Sequence, residues 1–159
     1  MASVLEYLQG RGQMFTVIPR LQASAAEVPA VDVRVPADLV ARTVVAIANY
    51  GPAVLVIPAS RRLDMELVAG AVGDPEVRLA TERELERQFP DYEPGALPPF
   101  SMLLLAPMYV DPAVVGRDEI VFAAGRQDIS IKMATRDLFG SDPVVVAPLT
   151  SGSRVGAHS

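Results

Sequence analysis

The chain has 159 residues, half of them apolar, which suits one globular domain that buries its own core. With no cysteine and a single histidine, His158, next to the last residue, disulfides, thiolate nucleophiles and Cys- or multi-His metal sites are excluded, and a His-based catalytic triad is disfavoured. The formal charge of −5 argues against a dedicated polyanion binder. That charge is regional, because seven acids between Asp74 and Glu93 face only Arg78, Arg83 and Arg87, while Arg117 to Arg136 holds four bases and three acids.

Ser3 and Glu6 have capping-box spacing and open a helix through about Gln9, ended by Gly10 and Gly12. Met14 to Ile18 reads as a strand closed by Pro19. Pro36 is placed as the first residue of a short helix, Ala37 to Ala41. Thr43–Ala48 and Ala53–Pro58 are β-branched runs around the Asn49-Tyr50-Gly51-Pro52 turn and predict a hairpin. Asp64 caps a helix to about Val72, with Gly73 after it. Val77–Leu79 is a brief strand, and the Thr81/Glu84 capping box starts a helix that stops before Pro90. Pro90 to Phe100 has no periodicity. Met102–Leu105 and Met108–Val110 read as strands, and Glu119–Ala124 with Ile129–Met133 as a second hairpin across Gly125-Arg126-Gln127-Asp128. After Gly140 come an apolar run, Val144–Val146, and a Ser/Gly-rich tail.

The longest uncharged stretch, Thr43 to Ser60, is broken by its central turn, so it reads as two strands and not as a membrane span. No basic, apolar leader pattern opens the chain, and a soluble, cytoplasmic protein is the expectation. Strands joined both by turns and by helices predict a single α+β domain with a mixed or antiparallel sheet.

The residues left for chemistry are carboxylates, hydroxyls, arginines, Lys132 and the main chain. In Gly95-Ala96-Leu97-Pro98-Pro99-Phe100, glycine admits close approach and two prolines fix the chain's direction, so main-chain groups are held rigidly. The alternative is a rigid surface connection. Arg42-Thr43, at the head of an apolar strand, is either a ligand-facing guanidinium or an arginine extending its head to water. Gly125-Arg126-Gln127-Asp128 is a loop facing a polar ligand or simply a turn. Arg61-Arg62-Leu63-Asp64 either touches phosphates or begins a solvated helix. Glu82, Glu84 and Glu86 do not converge on a metal, since positions i and i+2 of a helix point apart.

Five segments in order resemble the YbaK family, the aminoacyl-tRNA synthetase-associated domain that includes the prolyl-tRNA synthetase insertion domain. They are Val56 to Asp64, Arg78 to Leu85, Gly95 to Phe100, Pro107 to Asp111 and Ala124-Gly125-Arg126, and Val4 to Leu8 and Ser24-Ala25-Ala26-Glu27 also fit. The resemblance implies a curved, barrel-like mixed sheet surrounded by helices, with residues 1–140 as the editing domain and 141–159 as a C-terminal extension and flexible tail. It implies a freestanding deacylase that hydrolyses the ester of mischarged tRNA, without metal or cofactor. Its partners would be the aminoacyl-tRNA acceptor end, often that of tRNA for proline, and a synthetase. Editing of this kind answers a physical limit: one methylene is worth only about 1–3 kcal/mol of discrimination in an apolar pocket.

Carried onto this chain, the family's pattern gives catalytic roles to Arg42, Gly95 and Pro99. It gives substrate contacts to Thr43, Ala96, Leu97, Pro98, Gly125 and Ser130. The family typically has lysine where Arg42 stands, some relatives have aspartate at Ser130, and Pro98 is often a small polar residue. The alternative is a catalytically degenerate member that binds an aminoacyl-tRNA-like or nucleotide-like ligand, or a protein.

Overall fold

The computed structural model describes residues 4–19, 35–140 and 143–153. Two hairpins organise its sheet. Strand β2 (Val40–Ala48) turns at Asn49-Tyr50 into β3 (Gly51–Pro58), and β7 (Glu119–Arg126) turns at Gln127-Asp128 into β8 (Ile129–Ala134). With β1 (Thr16–Pro19), β6 (Met108–Val110) and β9 (Val145–Val146), they form a sheet in the order β1-β8-β7-β2-β3-β6-β9. A short strand, β5 (Arg78–Leu79), adds to β2. The hairpin pairs are antiparallel, while β2–β7, β3–β6 and β6–β9 are parallel, so the sheet is mixed as expected. Strand β4 (Arg61–Leu63) forms a separate ribbon with β10 (Thr150–Ser153).

Period-2 alternation divides the side chains between two faces. Ala41, Val45, Val54, Val56, Ile120, Phe122, Ile131 and Met133 face the main core. That face is closed by Val4 and Leu8 of α1 (Val4–Gly10), by Leu97 and Phe100, and by Val114 of α5 (Pro112–Val115) and Leu138 of α6 (Thr135–Phe139). On the opposite face, Ala46, Leu55 and Ile57 pack against Val68 and Val72 of α2 (Met65–Val72), and Ile18, Val40 and Val121 form a smaller cluster.

The caps read from sequence have their expected geometry. Asp64 accepts from the Glu66 and Leu67 N–H groups, and Gly73 ends α2 in the left-handed region. Thr81 and Glu84 form a reciprocal capping box on α3 (Glu82–Gln88).

Two expectations fail. Met102–Leu105, expected as a strand, is helix α4 (Ser101–Leu104), because four consecutive apolar residues carry no period to separate helix from strand. Ala37–Ala41, expected as a helix, is a 3-10 turn over Ala37–Leu39, and the backbone is already extended at Val40, where pairing with β7 claims it. The expected Ser3 cap, the Ser24–Glu27 segment and His158 lie outside the described residues.

Residues 143–153 join the body of the protein. Strand β9 lies parallel to β6, Leu149 is fully buried beside Leu55 and Ile57, and β10 pairs with β4. The anchor is Asp111, which caps α5 through one oxygen and binds the Leu149–Thr150 backbone through the other. Among the described residues, no helix is long and apolar enough to cross a membrane.

Candidate active site

β2 and β7 run side by side for only two register positions, Val40 opposite Val121 and Ala41 opposite Phe122. Beyond them the strands part, and β2 takes up β5 at Ala46 and Ile47. The intervening residues, Arg42 to Val44, border a notch where two parallel strands diverge at their carboxyl ends, the position at which open α/β sheets commonly bind ligands.

The other wall of the notch is a bulge. β7 and β8 pair in register up to Ala123–Ser130, and the next pair is Arg126–Ile129, so Ala124 and Gly125 are extra. Gly125 sits at φ 92°, a conformation that favours glycine, and a Cβ there would lie 2.9 Å from the Tyr92 ring. The bulge is tied to the proline-rich loop. The Gly125 carbonyl accepts the Glu93 N–H at 2.9 Å, and the Glu93 carboxylate accepts the Gln127 N–H. Gly95 lies against the Gln127 side chain, so close that a Cβ would be 2.5 Å from its Nε2. Ala96, Leu97, Pro98 and Pro99 are all buried behind it, with a 3-10 turn over Pro94–Ala96. The rigid loop is therefore built into the core and is more than a surface connection.

Arg42 is exposed and pairs across β2–β3 with Ile57, on the face of Val40 and Val121. Ser130 lies on that same face, fully buried between Ala123 and Ile18, and its hydroxyl has no hydrogen-bond partner among the described residues. Thr43 points the other way, opposite Val56, toward the core that Leu97 and Phe100 close. Its buried hydroxyl is likewise unpartnered. Arg42 at the notch and Ser130, one strand beyond β7, thus lie on one side of the sheet, while Thr43 and the Gly95–Pro99 loop lie on the other, with the Gly125 bulge linking loop and strand.

The mouth of the β7–β8 hairpin is polar. Arg126 binds Asp128 through two hydrogen bonds of 2.9 and 2.8 Å, and this guanidinium holds the Asp128 carboxyl below its ordinary range. Burial, with the Asp91 charge second, pushes the Tyr92 hydroxyl up. No cluster of potential metal ligands occurs among the described residues. What the arrangement offers chemically is a cation at the rim, hydroxyls of low hydration and rigid main-chain groups. These suit orientation of an ester and a water molecule.

Residues 22–140 match the aminoacyl-tRNA editing domain. EbsC of Enterococcus faecalis, which is assigned as a Cys-tRNA(Pro)/Cys-tRNA(Cys) deacylase, is 29% identical over 112 residues. That alignment covers 70% of this chain and 63% of EbsC, so the chain spans less than two thirds of this relative's length. The fold is similar to that of the hypothetical protein APE2540 (TM-score 0.81, 24% identity, 93% of this chain and 99% of the other). It is also similar to a crystal structure described as a trans-editing enzyme for prolyl-tRNA synthetase (TM-score 0.76, 24% identity, 91% and 92%). The mixed-sheet α+β fold is thus shared with solved structures over nearly the whole chain.

Proposed function

Because the chain belongs to the aminoacyl-tRNA editing domain family, we propose that it hydrolyses the ester linking a small or noncognate amino acid to the 3′ end of tRNA. The observation that supports this reading is the Gly125 bulge beside the β2–β7 notch, which ties the Gly95–Pro99 loop to β7, the strand whose pairing with β2 ends just before Arg42. In this reading Arg42 faces the acceptor end and polarises the ester carbonyl, a role for which its planar fork differs from an ammonium group. Main-chain groups of Gly95–Pro99 orient the attacking water and the terminal ribose. Thr43 supplies a hydroxyl on the loop's side of the sheet, beside Ala96, Leu97, Pro98 and Gly125, and Ser130 supplies one on the side of Arg42. Water adds to the carbonyl carbon, the C–O bond to the ribose breaks, and the ribose oxygen leaves with a proton, giving free amino acid and tRNA.

The test is single-turnover deacylation of a panel of tRNAs carrying small and noncognate amino acids, cysteine included. Wild type is expected to hydrolyse at least one member. Arg42→Ala and Gly95→Val are expected to lower that rate tenfold or more, with Arg42→Lys falling between, since one transition-state contact of this kind is worth about 1.4 kcal/mol or above. Absence of hydrolysis across the whole panel overturns the reading.

A further inference from the structure

A cavity of about 320 Å3 lies at the other end of β2, where β3 turns into β4. Its polar lining is Asp38 from the 3-10 turn, Ser60 from the β3–β4 turn, Arg61 at the start of β4, and Arg117 just beyond α5, with Gly152 of β10 on a further side. None of the residues at the notch lines it. Its size is at the small end of ligand pockets, enough for a phosphate with its sugar and too small for a folded partner.

Two guanidiniums and one carboxylate give the cavity a net positive charge within an acidic protein. Arg61 is set in place from behind. Its Nε donates to the Thr150 hydroxyl at 2.9 Å, and that hydroxyl donates to buried Asp111. The two terminal nitrogens of Arg61 have no partner among the described residues. Arg117 is only loosely held, 3.4 Å from Asp38, with both side chains about half exposed. A surface pair of that kind is worth little and is readily exchanged for a stronger anion. Ser60 donates to the same carboxylate, so Asp38 occupies the donors that an incoming oxyanion would use.

We propose that this cavity is a phosphate subsite in which Arg61 and Arg117 clamp one phosphate group and Asp38 stands in for it when the site is empty. The phosphate comes either from an RNA backbone or from free phosphate in solution. In the RNA form the proposal rests on the deacylase reading. Asp38 and Arg42 are four residues apart, so their α-carbons lie within about 14 Å, and an acceptor strand ending at the notch passes the cavity.

The experiment measures dissociation constants of inorganic phosphate and of an uncharged acceptor-stem RNA hairpin with a single-stranded 3′ end. The proteins are wild type, Arg117→Ala, Asp38→Asn and, as a control for overall charge, Arg87→Ala on exposed α3. Arg117→Ala is expected to weaken binding about tenfold, the worth of one charge-assisted hydrogen bond. For the RNA it also lowers the slope of log affinity against log salt by about 1. Asp38→Asn is expected to tighten binding, and Arg87→Ala to leave it near wild type. These shifts with both ligands identify free phosphate as sufficient, and with RNA alone they identify the backbone as the source. Failure of wild type to bind either ligand overturns the proposal. So does a pattern in which Arg117→Ala and Asp38→Asn fail to shift binding in opposite directions, or in which Arg87→Ala matches Arg117→Ala. The two readings fail separately: binding of this pattern without turnover removes the deacylase alone, and turnover without it removes the subsite alone.

Discussion

The Asp111 carboxylate accepts both the backbone N–H and the hydroxyl of Thr150, at 3.0 and 2.9 Å, across 39 residues of sequence. The same oxygen takes the Leu149 N–H at 2.9 Å, and the other oxygen takes that of Ala113 at 2.8 Å. A buried carboxylate is tolerable only when its lone pairs are filled in this way. Asp111→Ala leaves three N–H groups and a hydroxyl short of an acceptor and is expected to cost about 2–4 kcal/mol in urea unfolding. Asp111→Asn, which keeps one acceptor oxygen, is expected to cost less.

Gly125 tests the bulge at the notch. Gly125→Ala places a methyl against the Tyr92 ring and forces alanine to φ 92°. The expected loss is about 1–3 kcal/mol in thermal or chemical unfolding. Tyr92→Ala in the same background removes the clash and leaves the backbone strain, so the double variant is expected to recover part of the Gly125→Ala penalty, measured as a double-mutant cycle.

The α3 cap carries a pH signature. Hydrogen bonds from Arg78, with the Thr81 N–H second, lower the Glu84 carboxyl from 4.5 to about 2. A depressed folded value means that the contribution to stability is complete above the unfolded value and is lost as pH falls from 4.5 toward 2. The group is solvent-screened, so the effect on global stability is small. An NMR titration of the Glu84 side chain is expected to show a midpoint near 2, and Arg78→Ala is expected to return it toward 4.5.

Leu105 is the one non-glycine residue with positive φ among those described, at 55°, and it is 85% exposed. It ends α4 in a conformation that costs an L-residue about 1 kcal/mol or more, with almost no burial in return. Leu105→Gly is expected to raise stability by about 0.5–1 kcal/mol, read as a higher melting temperature.

Local chemistry made much of the fold legible. The Asp64 and Thr81 caps, the turn between β2 and β3 and the Gly125 region each announce themselves in a few residues, and the structure places them accordingly. Features that depend on distant partners were not legible. Helix α6 has no side-chain N-cap to mark its start, and β9 consists of two exposed valines paired, among the described residues, only with β6. At the notch, the residue types of Arg42, Gly95–Pro99 and Gly125 could be singled out from spacing and composition. The tie between the loop and β7 depends on a bulge that no hydrophobic period records, and alternation alone sends Arg42 and Thr43 to opposite faces. Arg61 reads from sequence either as a phosphate contact or as the start of a solvated helix, and in the structure it opens strand β4. Its counterpart, Arg117, becomes visible only when α5 packs over β3.

The brevity of the β2–β7 pairing bears on how the molecule comes apart. Both hairpins are local in sequence and inexpensive to close, whereas the two register positions joining them close a loop of some eighty residues. One ribbon carries β1, β8 and β7, and the other carries β2, β3, β6 and β9, so the backbone pairing of the sheet is thinnest at Val40–Ala41, although one core runs beneath both. In native-state hydrogen exchange, amides within each hairpin are expected to outlast those at this junction. The least protected line of the sheet would then run along the border of the notch, where a bound acceptor end would add its own hold on both ribbons.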